Sequence, residues 1–179
     1  MGTERLSVIS DAGPLIHLVE IDSRNDLSMF ENLHIPEAVW SETVGLGRIQ
    51  SEEIVNLGNI QRHTLPQSES SQFIANHNLK EIHDGERECL YLCRQIEVAT
   101  LLTDDLAVRK AAKSLNLIPV GSLGIIAKAY HQGLISVDAA EKHLLNLYDE
   151  STLFVTKAIV ELAIKQLHQD AQNVESSSR

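Results

Sequence analysis

The sequence predicts an α/β fold: a three-layer α/β/α sandwich with a central, mainly parallel sheet. Three observations carry that expectation. Short apolar, β-branched runs alternate with longer segments that have one apolar side, the pattern of β-α units. The connections are short, so successive strands run the same way with helices over both faces. Two of the runs, Leu6-Ser7-Val8-Ile9-Ser10 and Ala99-Thr100-Leu101-Leu102-Thr103, end directly on aspartates: Asp11, and Asp104 with Asp105 beside it. A buried parallel strand reads as such a run, and a carboxylate at its carboxyl end projects into the crevice where open α/β sheets bind ligands. Two such tips converge only if their strands are neighbours. Together they would form an acidic pocket suited to a hard divalent cation.

The elements follow in order. After Asp11, Gly13 relieves the turn, Pro14 suits the first turn of a helix, and Leu15, Ile16, Leu18 and Val19 give it a buried side. Leu27, Met29 and Phe30 predict a second, short helix, and Leu33-His34-Ile35 a minimal strand. Pro36 then starts a helix through Val44 that carries Glu42 and is ended by Gly45 and Gly47. The stretch 48–78 carries the weakest pattern: 60–65 reads as an edge strand ending at Pro66, and 67–71 as loop or helix start. A clear helix is expected over 84–95, with Asp84 as its N-cap and Cys89, Leu90 and Cys93 on its inner side. The strand at 99–102 is followed by a helix over 105–115, then the short strand Ile118-Pro119-Val120. A helix over 123–131 stops at Gly133, Ser136 caps another over 137–147, and a last helix spans 153–168. The tail, 172–179, is polar and expected to fray.

Composition narrows the function. The chain has 179 residues, 43% hydrophobic and 22% charged, the profile of one soluble globular domain. There is no apolar run long enough to cross a bilayer, and Met1-Gly2-Thr3-Glu4-Arg5 leads straight into a strand without a signal-peptide core, so a cytoplasmic protein is expected. Cys89 and Cys93, one helical turn apart, read as small core residues and not as a metal or redox pair. Fifteen Lys plus Arg against 25 Asp plus Glu gives a net charge of −10. A protein that holds phosphates by charge alone should be basic. Bound metal ions invert the potential of an acidic pocket, and a basic partner can supply the missing charge.

Few chemistries compete with the acids. The sequence shows no Ser-His-Asp pattern, no HExxH spacing among its eight histidines and no GxxxxGK[ST] phosphate loop. The acids, among them Asp11, Glu42, Glu86, Asp104 and Asp105, remain the one coherent constellation. Each has a plainer reading beside it. Asp11 could cap the helix after it, Glu42 could face solvent, Glu86 could compensate a helix dipole, and Asp104 or Asp105 could cap the next helix. Ser10 and Thr103 read as strand residues whose hydroxyls could orient a carboxylate or water. Arg109, Lys110 and Lys113 read as an exposed helix face with a smaller chance of contacting phosphates, and Trp40 reads as core.

Five blocks in one order carry a resemblance. Ile9-Ser10-Asp11-Ala12-Gly13-Pro14-Leu15-Ile16 resembles the opening strand and turn of PIN domains, most closely those of the DUF3368-like subgroup. Ile35-Pro36-Glu37-Ala38-Val39-Trp40-Ser41-Glu42 is similar to the family's second acidic motif, and Asp84-Gly85-Glu86-Arg87-Glu88-Cys89-Leu90 to its Gly-Glu helix start. The blocks from Leu102 to Ala112, and Gly121 to Ile126 with Gly133-Leu134-Ile135, resemble the remaining two. The resemblance implies a PIN-like nuclease domain over 1–150, with a C-terminal helix and polar tail, 151–179, packed on or extending it. It implies a Mg2+- or Mn2+-dependent ribonuclease, often the toxin of a toxin–antitoxin pair, with catalytic roles at Asp11, Glu42, Glu86 and Asp104 and metal ligation at Asp11, Glu86, Asp104 and Asp105. The implied partners are an RNA substrate, an antitoxin protein and a second copy of the chain, with no membrane.

Two other classes stand beside this one. A PIN fold with little activity could act as a nucleic-acid- or protein-binding regulatory module, for which the net charge is the best support. A response-regulator-like phosphoacceptor also uses acids at strand tips, but it should show an acidic pair after its first strand and a late Lys-Pro. Here the pair is Asp104-Asp105 and Lys-Pro is absent. The apolar stripe Leu153, Val155, Ile159, Val160, Leu162, Ala163, Ile164 and Leu167 exceeds what a solvent-facing last helix needs, and so predicts association.

Overall fold

The strand that reads most strongly in the sequence is the one at the centre of the sheet. In the computed structural model, which describes residues 6–177, Val8–Ser10 (β1) is buried throughout and pairs in parallel with Leu33–Pro36 (β2) on one side and Thr100–Leu102 (β4) on the other. Ile60–His63 (β3) and Ile118–Val120 (β5) close the two edges, giving the order β3-β2-β1-β4-β5 with all four pairings parallel. β4 is as deeply buried as β1, which is why both read as continuous apolar runs, whereas edge strand β3 keeps Gln61 and Arg62 exposed. β5 carries Pro119, which an edge tolerates.

Helices cover both faces. They are Ala12–Glu20 (α1), Glu37–Trp40 (α2), Ser51–Val55 (α3), Gln67–Asn76 (α4), Asp84–Gln95 (α5), Leu106–Ser114 (α6), Ser122–His131 (α7), Val137–Asp149 (α8) and Lys157–Ser177 (α9), with a 3-10 helix at Arg24–Met29. The core is one apolar cluster in which Ile9 and Leu101 of the sheet meet Leu15, Leu90, Val108 and Ile126 of the helices. Cys89 and Cys93 are both buried free thiols on the inner side of α5, and Cys89 donates weakly to the Ser10 carbonyl.

Several local expectations are corrected. The helix expected through Val44 is α-helical only to Trp40; Ser41–Gly45 widens into a π-helical turn in which the Thr43 hydroxyl donates to the Val39 carbonyl at 2.7 Å. Two β-branched residues before a glycine favour such a bulge, and π-turns recur at functional sites. α3, with no expected counterpart, is a short helix held by a Gln50–Glu53 capping box. The N-cap of α5 is His83 and not Asp84, which lies in the first turn and pairs with Arg87. The last helix starts at Lys157 and not at 153, because Thr152 is drawn away to Glu20 and the Thr156 hydroxyl accepts from the Ile159 N–H. It also continues through Ser177, past the point where fraying was expected. Propagation costs little once a helix is anchored, and here His168 binds Glu141 of α8 while Asp170 reaches His131 of α7. The reading of Met1–Arg5 and the last two residues of the tail lie outside the described residues.

Candidate functional site

The order of strands reverses between β1 and β4: the sheet grows outward through β2 and β3 on one side and through β5 on the other. A crevice forms beyond the carboxyl ends at such a switch point. Asp11 and Asp104 stand there because each closely follows one of the two central strands. The cavity, about 320 Å³, is lined by five carboxylates: Asp11, Glu42, Glu86, Asp104 and Asp105.

Local structure positions each of them. Asp11 caps α1, its Oδ1 accepting the Ala12 N–H at 2.6 Å. Its Oδ2 accepts the Thr103 hydroxyl from across the β1–β4 seam at 3.1 Å. Burial lifts its pKa from an ordinary 3.8 to about 6; those two hydrogen bonds pull it down, and the charges of Glu42 and Asp104 push it up again. Glu86, in the first turn of α5, accepts the His83 N–H on Oε2 at 3.1 Å and closes a capping box. Half-burial raises its pKa to about 7, and the negative charges of Asp11 and Asp105 add to that.

Asp104 has the opposite balance. Burial alone would raise it, but its hydrogen bonds hold it below the ordinary carboxylate value. The His17 Nδ1 donates to Oδ2 at 2.8 Å, since a carboxylate only accepts. Ser122 donates its backbone N–H to Oδ1 at 2.7 Å and its hydroxyl to Oδ2 at 2.5 Å. The N-terminus of α7 therefore points at this carboxylate. Asp105 is exposed at the cavity edge and caps α6, accepting the Val108 N–H at 2.9 Å. Glu42 rides on the π-turn with an oxygen against Gly85, where a Cβ would lie 3.4 Å from it. Glu42 makes no hydrogen bond or ion pair among the described residues.

The arrangement is a negative surplus with hard oxygen donors. Among the described residues no three His, Cys, Asp or Glu side chains are gathered closely enough to hold an ion by themselves. The carboxylates surround the cavity without closing into a cage.

A family model for DUF3368, a PIN domain, matches residues 7–169. The chain belongs to the PIN-domain family. No curated protein sequence matches it. PIN domains are generally nucleases, typically binding Mg2+ or Mn2+, so the family implies a nucleic-acid substrate. The parallel sheet flanked by helices is the PIN-type sandwich.

Within this PIN domain, the basic residues on α6 separate. Arg109 folds back to donate to the Thr103 carbonyl at 3.1 Å, bracing the turn that carries Asp104. Lys110 and Lys113 are exposed and stand outside the cavity lining. Trp40 packs against the core with the Arg62 guanidinium 4.1 Å above its ring. Thr103 does orient a carboxylate, whereas the Ser10 hydroxyl donates to the Asp11 backbone carbonyl.

Sequence reasoning missed His17, Ser122, Gly121, Arg48 and the segment 152–154 that rims the cavity. Gly121 and Ser122 stand in one of the five resembling blocks without a role having been read for them, and His17 falls four residues after Gly13, on the same face of α1. Both face Asp104, whose carboxylate lies 3.8 Å from where a Gly13 Cβ would sit.

Proposed function

We propose that this PIN domain is a metal-dependent endoribonuclease. The observation that carries the reading is the gathering of five carboxylates in one cavity at the switch point of the sheet. The donor set fits Mg2+ or Mn2+: it is all oxygen, it carries excess negative charge, and Mg2+ retains several of its own waters, so a cavity rim suits it. Asp11, Glu86, Asp104 and Asp105 would hold the ion partly through its own waters, since no three of them are close enough to cage it directly, and Glu42 would add to the negative wall. Once bound, such an ion supplies charge stabilisation to a phosphodiester and an activated water.

The chain's own groups divide the remaining work. Asp104, kept ionised by His17 and Ser122, is a fixed negative ligand. Asp11 is oriented by Thr103 and by the first turn of α1. Glu86 is set at the cavity by the first turn of α5, its Oε2 accepting the His83 N–H, which leaves Oε1 to face the ion. Phosphates further along the strand fall to Lys110 and Lys113 on the exposed face of α6.

The resemblance to toxin ribonucleases supports an antitoxin partner, and the charge of −10 favours a basic one. The outward side chains of α9 support a homodimer. No helix among the described residues is long and apolar enough to cross a membrane, and two free buried thiols suit a reducing cytoplasm. The ion pairs of α9 with α7 and α8 support a C-terminal segment packed on the same domain.

A second reading, a catalytically weak binding module, is favoured by that same net charge. Thermal melting with Mn2+ separates the two, because a ligand of the native state raises its stability. Cleavage of RNA by the purified protein tests the first directly. Asp11→Asn should keep the fold and its cap and lose roughly 100-fold or more in rate, the scale on which positioned acid–base groups act. Full activity in that variant, or cleavage undiminished in excess EDTA, would overturn the mechanism.

A further inference from the structure

The nuclease reading leaves one wall of the cavity unexplained. Beside the five acids, the segment 152–154 lines it, and Phe154 is 98% exposed. Its surroundings hold it in place. Thr152 donates its N–H to the Glu20 Oε2 at 2.7 Å and its hydroxyl to Oε1 at 2.9 Å. The Ser151 hydroxyl donates to the Leu147 carbonyl and accepts the Leu153 N–H at 3.2 Å. Leu153 and Val155 turn inward against the core, which leaves Phe154 pointing out. An aromatic ring 98% exposed on a pinned segment at the edge of a polar cavity is a face already placed for stacking, with no ordering cost left to meet.

Arg48 stands on the same cavity. It follows the π-turn that carries Glu42, is exposed, and makes no ion pair among the described residues, although it shares the cavity with the five acids. The site therefore combines an acidic floor, a bare aromatic face and an unpaired guanidinium.

The geometry points to Phe154 as the platform on which one unpaired base stacks beside the phosphate bound at the acids, with Arg48 contacting an adjacent phosphate. This deepens the nuclease reading and rests on it. Every base has a π-face, but only an unstacked one can offer it to a protein ring. Phosphate contacts carry no base information. Phe154 is thus the residue through which the site distinguishes an unpaired nucleotide from a paired one. A protein partner on the same ring is the competing occupant. The cavity position of Phe154 favours the base, whereas Ile159 and Leu162, which do not line the cavity, are placed for a partner.

Binding of a short, labelled single-stranded oligoribonucleotide to full-length protein tests this, in Mn2+ and in the Asp11→Asn background so that the probe stays intact. Phe154→Ala should weaken binding about tenfold or more, the scale of one base stack, and Phe154→Trp should restore it. An abasic version of the probe should bind the Asp11→Asn parent as weakly as Phe154→Ala binds the intact one, and should lose nothing further in that variant. Unchanged affinity in Phe154→Ala overturns the inference. If light scattering then shows lost association, the ring belongs to a protein interface. Cleavage kinetics separate the two readings. If the otherwise wild-type enzyme cuts RNA and Phe154→Ala does so with the same KM, only the stacking role fails. If the wild type neither binds nor cuts RNA, the nuclease reading fails and takes this inference with it.

Discussion

The Thr103 hydroxyl reaches across the seam between the two central strands and donates to the Asp11 Oδ2 at 3.1 Å. This bond ties the end of β4 to the carboxylate that follows β1, so the floor of the cavity is set by strand pairing and not by loop conformation. It also lowers the pKa of a carboxylate that burial has raised to about 6.

That raised value has a stability consequence. The folded pKa of Asp11 lies above the unfolded one, so the folded chain holds more protons between about pH 4 and 6. Its contribution is complete below about 4 and is lost as pH rises through about 6. Glu86 acts in the same sense up to about 7, whereas the lowered Asp104 contributes above its ordinary pKa and loses its contribution as pH falls. In metal-free protein, Asp11→Asn should therefore be more stable than wild type near pH 8, by something on the order of 2 kcal/mol. The gain should disappear below about pH 4. Thermal melting in EDTA across that range is the check, and a variant less stable than wild type near neutrality would contradict the assigned shift.

Under the proposed function, His17 is a positioning residue that acts through Asp104. His17→Ala removes one of the three donors to that carboxylate and should raise its pKa. Metal affinity should fall by roughly 10- to 100-fold, the usual effect of removing a group that orients a ligand. Isothermal titration with Mn2+, paired with a melting curve to confirm the fold, reads this. Unaltered affinity would make His17 a packing residue only.

Gly121 is required by space and not by backbone angle. A Cβ there would lie 2.9 Å from the Asp104 Oδ1 and 3.2 Å from an Arg109 guanidinium nitrogen, while the backbone φ is an ordinary −93°. Gly121→Ala should cost about 1–3 kcal/mol, as overpacking does, and should depress cleavage by shifting Asp104. Chemical denaturation compared with wild type measures the first, and a rate assay the second.

Helix α9 divides its apolar stripe between two uses. Val160 and Leu167 are buried, Ala163 and Ile164 pack against the core, and Leu153 and Val155 do the same from the segment before the helix. Ile159 and Leu162 remain 52% and 68% exposed. Light scattering should find a species larger than the 19.8 kDa chain, and Ile159→Lys with Leu162→Glu should return it to a monomer. A monomeric wild type at micromolar concentration would remove the homodimer proposal.

What the sequence determined by itself was set by local and periodic physics. Buried strands must be apolar on both faces, so β1, β4 and the positions of Asp11 and Asp104 at their ends were legible. Helix periodicity marked α5 from Asp84 to Gln95, and Ser136 marked the start of α8. Tertiary structure decided the rest, because it concerned groups far apart in the chain. The pairing of β1 with β4 brought Asp11 and Asp104 together across more than ninety residues. The different surroundings of Asp104 and Asp105 likewise come from a distance. His17 and Ser122 claim the first carboxylate, while the second is taken by the N-terminus of its own helix. Neither Phe154 nor Arg48 carries a local mark of function; each stands at the cavity only because Glu20 holds the segment beside Phe154 and a π-turn precedes Arg48. Propensity and periodicity report what a residue's near neighbours require, and these placements depend on contacts that exist only once the chain has closed on itself.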